Sequence, residues 1–106
     1  WIARVSLVVL NYDEAIKFYC EILDFEKKED VELGDGARWI TITPPGSAGR
    51  GCEIVLTIAR NDAQRSAVGN QCGGKVSMFL VTDDFQRDYS KMKERGVLFT
   101  EEPRNE

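Results

Sequence analysis

Two basic side chains, each at the start of a similar segment, are the first candidates for chemistry in this sequence. Arg4 opens the segment RVSLVVL (4–10), and Lys75 opens KVSMFLV (75–81), which matches it position by position at an offset of 71 residues. Guanidinium and ammonium groups bind carboxylates and other anions. If the two segments are neighbouring strands, the pair predicts a site for a small anionic ligand. The alternative is that each cation extends from a strand start into water.

Histidine and cysteine usage limits the other chemistry open to the chain. The sequence contains no histidine, which is the most common metal ligand and general base near neutral pH. Metal sites built on histidine and Ser–His or Cys–His nucleophiles are therefore excluded for these 106 residues. Cys20, Cys52 and Cys72 have no C-x-x-C spacing. They predict reduced thiols and a cytoplasmic location rather than a disulfide framework or a zinc site.

The composition is typical of a single globular domain. A length of 106 residues fits one domain, and 42% hydrophobic with 30% charged residues argues against disorder. With 14 Lys and Arg against 18 Asp and Glu, the net charge is -4. Because no basic run is present, nucleic acid is not expected as a partner. No apolar stretch approaches the roughly 18 residues of a membrane span, so no membrane partner is expected either.

The elements that must position these residues begin with a β-α-β-β-β pattern over residues 1–59. Asn11 and Glu14 have the spacing of a capping box, which predicts a helix directly after the first strand. Apolar residues at helical spacing give that helix one buried side; they are Ala15, Ile16, Tyr19, Ile22 and Leu23. Gly34-Asp35-Gly36 predicts a tight turn, and the charged run at residues 26–30 predicts a solvated edge strand. The predicted strands are Arg4–Leu10, Phe25–Leu33, Trp39–Thr43 and Cys52–Ala59.

The pattern of the first half returns after a polar linker at residues 60–74. Its predicted elements are a strand at Lys75–Val81, a capping box at Asp83–Gln86, a helix spaced by Phe85, Tyr89 and Met92 that ends at Gly96, and a strand at Val97–Thr100. The shared order of elements predicts an internal repeat. We therefore expect one α+β domain, with a first module at 1–59 and an incomplete second module at 75–106.

Alternation along the strands predicts a sheet with one apolar and one polar face. The apolar face is expected to pack beneath the helices and carries Val5, Leu7, Val9, Ile40, Ile42, Cys52, Ile54, Leu56, Ile58, Val76, Met78 and Leu80. The polar face collects the candidate ligand-binding residues, which are Arg4, Ser6, Trp39, Thr41, Glu53, Thr57, Lys75, Ser77 and Phe79. A polar face that curves on itself can form a small-molecule cavity. The alternative is a face exposed to solvent or to a dimer partner.

Motifs in both halves resemble the vicinal oxygen chelate superfamily, which includes glyoxalase I, bleomycin-resistance proteins, fosfomycin-resistance enzymes and extradiol dioxygenases. In the first half these are the strand at 4–11, the helix residues EAIKFY (14–19) and the exit Leu23-Asp24-Phe25, where Asp24 replaces the usual glycine. In the second half, VTDDF (81–85) and RGVLFTEEP (95–103) are similar to the corresponding family segments. The resemblance implies paired β-α-β-β-β modules that form a cupped mixed sheet with helices outside, commonly in a homodimer, around a small-molecule site.

The resemblance also implies where enzymes of this superfamily bind metal, and this sequence departs from that pattern. The first-strand ligand position falls on Arg4, and the repeated position falls on Lys75 or, in another register, on Ser77. The fourth-strand position falls on Val55, two residues from Glu53 on the same face, and the last position lies beyond the final residue. Cations do not coordinate a divalent metal. Neither a metal nor another cofactor is therefore expected.

These patterns favour a member of this superfamily that has lost the usual metal ligands and binds a small molecule, with an anion as the candidate class. Trp39 and Phe79 would form an aromatic wall, and Glu53 would neutralise one of the two cations. The hydroxyl groups of the polar face would supply hydrogen bonds. Two alternatives stay open: a metal-dependent lyase, isomerase or dioxygenase of the same superfamily, and a dimerisation module without a ligand. The expected assembly is a homodimer.

Overall fold

The described part of the chain, residues 1–47 and 50–103 of a computed structural model, contains four strands and three α-helices. The strands are β1 (Arg4–Val9), β2 (Glu26–Gly34), β3 (Ala37–Thr43) and β4 (Glu53–Ile58). The helices are α1 (Tyr12–Ile16), which continues as a π-helical segment (Lys17–Ile22), α2 (Asp62–Ala67) and α3 (Phe85–Glu94). The four strands predicted for the first half are thus confirmed, with ends that differ by one or two residues.

The four strands form one mixed sheet in the order β1-β4-β3-β2. β1 runs parallel to β4, with Arg4 opposite Glu53 and Leu7 opposite Leu56. The β2–β3 and β3–β4 pairs are antiparallel. A parallel pair needs a long crossover connection, and the first helix together with β2 and β3 supplies it. The predicted α+β class, with a mixed sheet and helices outside it, is confirmed.

The first helix begins where the capping-box spacing predicts. The Asn11 side-chain oxygen accepts a hydrogen bond from the Glu14 backbone N–H at 2.9 Å, which satisfies one of the free donors of the first turn. The helix then widens, and the Leu23 N–H donates to the Phe18 carbonyl at 3.0 Å. Asp24 follows with a φ of 63°, a left-handed conformation that favours glycine. The aspartate therefore stands at a position whose backbone suits the glycine that is usual there.

β2 and β3 are joined by the tight turn that Gly34-Asp35-Gly36 predicts. Asp35 and Gly36 have φ values of 54° and 78°. Positive φ at both central residues is the requirement of a type I′ turn, whose twist matches that of two antiparallel strands. The turn therefore closes the hairpin that carries Trp39 and Thr41.

The core lies between the sheet and the first helix. Ile40, Ile42 and Leu56 are fully buried at its centre, and the buried residues around them are Leu7, Val9, Tyr12, Ala15, Phe25 and Ile54. The apolar face predicted for β1, β3 and β4 is confirmed at these positions. Val5 is a correction, because it is 43% exposed near the start of the edge strand β1.

The two strands predicted for the second half are wrong. Neither Lys75–Val81 nor Val97–Thr100 belongs to a strand. A strand needs a hydrogen-bonded neighbour, and the sheet described within residues 1–47 and 50–103 places none beside Lys75–Val81. Val76 and Leu80 are consequently exposed, at 64% and 45%, instead of lying in the core. Met78 alone of the three packs against the core, as expected.

Two further differences concern helix starts after residue 60. The predicted linker contains the short helix α2, which Asn61 caps by accepting a hydrogen bond from the Gln64 N–H at 2.8 Å. α3 begins one residue later than the predicted capping box, because Asp84 and not Asp83 caps it. The Asp84 carboxylate accepts from the Arg87 N–H at 3.0 Å. The predicted end of this helix near Gly96 is confirmed, since α3 ends at Glu94.

Ion pairs attach α3 to the end of the first helix. Asp24 pairs with Arg95 at 2.9 Å and with Lys91 at 3.3 Å. Arg95 also donates to the Ile22 carbonyl at 3.0 Å, which satisfies a free acceptor at the end of the π-helical segment. The hydrogen bond from Arg95 lowers the pKa of Asp24. The side chain that replaces glycine therefore joins the two halves.

Arg38 joins the hairpin to the start of the first helix. Its Nε and Nη2 donate to the two carboxylate oxygens of Asp30 at 3.1 and 2.6 Å, and its Nη1 donates to Asp13 at 2.8 Å. The guanidinium also lies 5.4 Å from the centre of the Tyr12 ring. The hydrogen bond from Arg38 holds the pKa of Asp30 below its usual value, although partial burial opposes the shift.

Leu56→Ala tests the position of the core. Leu56 is fully buried at the centre of the sheet, so we expect the free energy of unfolding to fall by about 2–5 kcal/mol. Urea denaturation followed by far-UV circular dichroism measures the change. The control Val31→Ala alters a residue that is 51% exposed on β2 and should cost less than about 1 kcal/mol. Equal losses in both variants would contradict the core described above.

Asp30→Asn tests the Arg38 contacts through their pH dependence. A carboxyl whose folded pKa is lowered stabilises the protein above its unfolded pKa of about 3.9, and this contribution is lost as the pH falls through the folded pKa. The variant should lose about 1 kcal/mol at pH 7, and its difference from wild type should shrink below about pH 4. Urea titrations across that range measure it. An equal effect of Asp35→Asn in the exposed turn would show that the Arg38 contacts are not the cause.

Candidate functional site

Six of the nine candidate residues lie on one face of the sheet, which we call the polar face; they are Arg4, Ser6, Trp39, Thr41, Glu53 and Thr57. The register places them there because residues opposite each other on paired strands point to the same side. Ser6 and Thr41 both lie beside Val55. The apolar residues that alternate with them face the first helix. The face therefore follows directly from the burial of the core.

Arg4 spans the polar face from β1 to β3. Its Nε lies 3.2 Å from a carboxylate oxygen of Glu53, directly opposite on β4. Its guanidinium carbon lies 5.5 Å from the centre of the Trp39 ring, a cation–π distance. Thr41 and Val55, which lie between these two contacts in the register, are buried. The fourth-strand side chain that meets Arg4 is thus Glu53, and Val55 supplies only apolar surface.

Glu29 completes this cluster, and the sequence did not identify it as a site residue. One of its carboxylate oxygens accepts from the Trp39 indole N–H at 3.2 Å and from the Thr41 hydroxyl at 3.3 Å. A register shift in the β2–β3 pair makes this possible, since Lys27 lies opposite Ile42 and Glu29 lies opposite Thr41. The extra residue is a β-bulge, which moves the following side chains to the other face. The charged run at residues 26–30 did not indicate in the sequence that Glu29 would contact Trp39 and Thr41.

The remaining hydroxyl groups on this face differ in their partners. Thr57 donates to the Leu7 carbonyl at 3.4 Å, which occupies its hydroxyl proton. Ser6 is exposed. Thr43 is only 4% exposed, and its hydroxyl has no hydrogen-bond partner in the described structure. Buried hydroxyls without a partner are uncommon, so Thr43 adds an unused polar group to the polar face.

The three candidates from the second half do not join this cluster. Lys75, Ser77 and Phe79 belong to no strand, and Phe79 is 85% exposed. The edge of β1 is instead met by Gln71, whose amide accepts from the Val8 N–H at 3.3 Å and donates to the Val8 carbonyl at 2.8 Å.

The polar face does not have the donor set of a divalent metal site. At the first-strand position the Arg4 guanidinium already contacts Glu53. Metal-binding side chains must be electron-pair donors, and a guanidinium is not one. Within residues 1–47 and 50–103, no three side chains of Asp, Glu, Cys or His are grouped so that they could hold a metal ion.

Two cavities lie away from the polar face. One, of about 800 Å³, lies between the Ile22–Asp24 segment and α3, and Phe85, Tyr89 and Phe99 form part of its wall. The other, of about 420 Å³, lies beside β1 and the first helix, with Phe18 and Ser77 in its wall. Neither is lined by Arg4, Trp39 or Glu29.

None of the three cysteines forms a disulfide in the structure. Cys20 and Cys52 are half-buried and Cys72 is exposed. Burial raises the pKa of the Cys20 thiol, which keeps it protonated and weakly nucleophilic. Among the described helices, none has the length and apolar character to cross a membrane.

Comparisons with known proteins agree with this architecture. A family model for the glyoxalase/bleomycin resistance protein/dioxygenase superfamily matches residues 1–106. An uncharacterized protein of Shewanella frigidimarina (strain NCIMB 400) is 42% identical over 106 residues, which are 99% of this chain and 77% of that protein.

Solved structures are similar as well. The crystal structure of UcmS2 has a TM-score of 0.80 and 25% identity, and the match covers 100% of this chain and 82% of UcmS2. The crystal structure of TnmS3, described as an antibiotic binding protein from Streptomyces sp. CB03234, has a TM-score of 0.69 and 26% identity, with coverage of 92% and 72%. Because the family match spans the whole chain and its structural neighbours share the fold, the chain belongs to the glyoxalase/bleomycin resistance protein/dioxygenase superfamily.

Proposed function

We propose that this chain binds a small molecule on the polar face of its sheet, with Trp39 as the aromatic contact. The observation that carries the proposal is that Arg4 and Glu29 both contact the indole. The Arg4 guanidinium carbon lies 5.5 Å from the ring centre, and a Glu29 carboxylate oxygen accepts a hydrogen bond from the indole N–H, 3.2 Å from its nitrogen. An aromatic ring among convergent polar groups is typical of small-molecule sites. The description of the similar protein TnmS3 as antibiotic binding supports the same role.

The contacts around Trp39 hold it in place before a ligand arrives. Its indole N–H has an acceptor in Glu29, and its ring has a cation in Arg4, which is itself paired with Glu53. A side chain that is already ordered loses less entropy on binding. A planar ligand that stacks on the indole face away from Arg4 therefore meets a preorganised surface.

Metal-dependent catalysis is the weaker alternative. The proposed site has a guanidinium at the first-strand position and a carboxylate already paired with it. A divalent ion at Glu53 would have to displace Arg4 against charge repulsion. The function proposed here therefore uses the polar face for binding and requires no metal or other cofactor.

A homodimer belongs to the same proposal. Large apolar side chains are exposed outside the sheet, including Val76 at 64%, Phe79 at 85% and Leu98 at 87%. A partner chain that covers these side chains would remove their apolar surface from water. The free thiols support the proposed cytoplasmic location. The division into two modules also stays a prediction.

Trp39→Leu tests the proposed contact. We expect the affinity for quinoline, a neutral bicyclic probe, to fall by about three- to tenfold because stacking is lost. Isothermal titration calorimetry measures quinoline binding to the wild type and to Trp39→Leu. Fluorescence titration of a Trp1→Phe chain, in which Trp39 is the single indole, measures binding at Trp39 independently. Phe79→Leu is the matched control, because that ring lies outside the cluster. Equal quinoline affinity in the wild type and Trp39→Leu would contradict the proposal.

Divalent metal tests the alternative. With Mn²⁺ or Mg²⁺ added to the chain, we expect no saturable rise in the melting temperature, since a ligand that binds the folded state would produce one. Differential scanning fluorimetry measures it. A rise that disappears in Glu53→Gln would place a metal on the polar face and contradict the metal-free proposal.

A further inference from the structure

We infer that Glu29 makes the polar face selective for planar ligands that carry a positive charge, and that it contacts the ligand beside Trp39. The inference rests on the proposed function and names the ligand class for the same site. It replaces the anionic class that Arg4 and Lys75 suggested.

The bulge in β2 is the first observation. Lys27 lies opposite Ile42 and Glu29 lies opposite Thr41, so Lys28 is the additional residue. Without it, regular alternation would place Lys28 opposite Thr41 and turn Glu29 toward the helix side. The bulge therefore exchanges a cation for a carboxylate next to Trp39.

The charge balance of the polar face is the second observation. Arg4 on this face is paired with Glu53 at 3.2 Å. Glu26 on the same face is paired with Lys28 at 3.2 Å. Glu29 accepts hydrogen bonds only from the neutral Trp39 and Thr41 side chains, and no Lys or Arg within the described ranges pairs with it. Its negative charge is therefore uncompensated.

The geometry of Glu29 is the third observation. Both of its hydrogen bonds go to one carboxylate oxygen, Oε1. The second oxygen is left to accept from a ligand, and the side chain is exposed. A ligand cation on the face of Trp39 away from Arg4 would gain a cation–π contact and this carboxylate together. A ligand carboxylate at the same place would be repelled.

The test uses three probes that share the quinoline ring system and differ in charge: N-methylquinolinium, quinoline and quinoline-6-carboxylate. They are titrated at pH 7.5 into the Trp1→Phe chain. Quenching of Trp39 fluorescence gives the dissociation constants. We expect N-methylquinolinium to bind about tenfold more tightly than the carboxylate, with quinoline between them. Glu29→Gln keeps an acceptor oxygen for Trp39 and Thr41 but removes the charge. It should weaken N-methylquinolinium binding about fivefold and leave quinoline binding unchanged.

Glu32→Gln is the matched control, because it removes the same charge from the same strand on the opposite face. It should change each affinity by less than about twofold. Tighter binding of the carboxylate would overturn the inference. So would an equal effect of Glu29→Gln on all three probes, or an effect of Glu32→Gln as large as that of Glu29→Gln. If all three probes bind with equal affinity, only this inference fails. If none of the three probes binds, the proposed function is refuted and this inference with it.

Discussion

The burial of Ile40, Ile42 and Leu56 against the first helix is the constraint on which the rest of the structure depends. These three side chains have no exposed surface, and they fix which face of β3 and β4 turns inward. Because side chains alternate along a strand, Trp39 and Thr41 must then lie on the opposite face. The polar face is thus a consequence of core packing, and a one-residue slip of β3 would bury the indole and expose the isoleucines.

On that face Arg4 stands at a position where the superfamily resemblance implies a metal ligand, and it forms an ion pair with Glu53. Arg4 and Glu53 lie opposite each other on β1 and β4. A guanidinium supplies positive charge beside the carboxylate, but unlike a metal ion it has no exchangeable coordination site. The Arg4 contact with Trp39 extends the pair to β3. The Arg4 guanidinium therefore contacts both the Glu53 carboxylate and the aromatic ring of Trp39.

Much of the first half could be predicted from local sequence, because its signals are short-range: the Asn11 cap, the Gly34-Asp35-Gly36 turn and the alternation of β3 all act within a few residues. The Glu29 contact could not be predicted, since the bulge that reorients it depends on how β2 pairs with β3. The prediction of a strand at Lys75–Val81 was wrong for a related reason. Its apolar alternation resembles that of β1, but β1 is a strand because β4 pairs with it, and a pattern alone supplies no neighbour.

The most direct test of a binding site on the polar face is to map which residues a ligand perturbs. A quinoline titration of the ¹⁵N-labelled chain can be followed at the indole N–H of Trp39 and the Nε–H groups of Arg4 and Arg38. We predict saturable shifts at Trp39 and Arg4, with Arg38 unchanged on the other side of the sheet. Shifts confined to the residues around the cavity of about 800 Å³ beside α3, or no saturable shift at all, would contradict a binding site on the polar face.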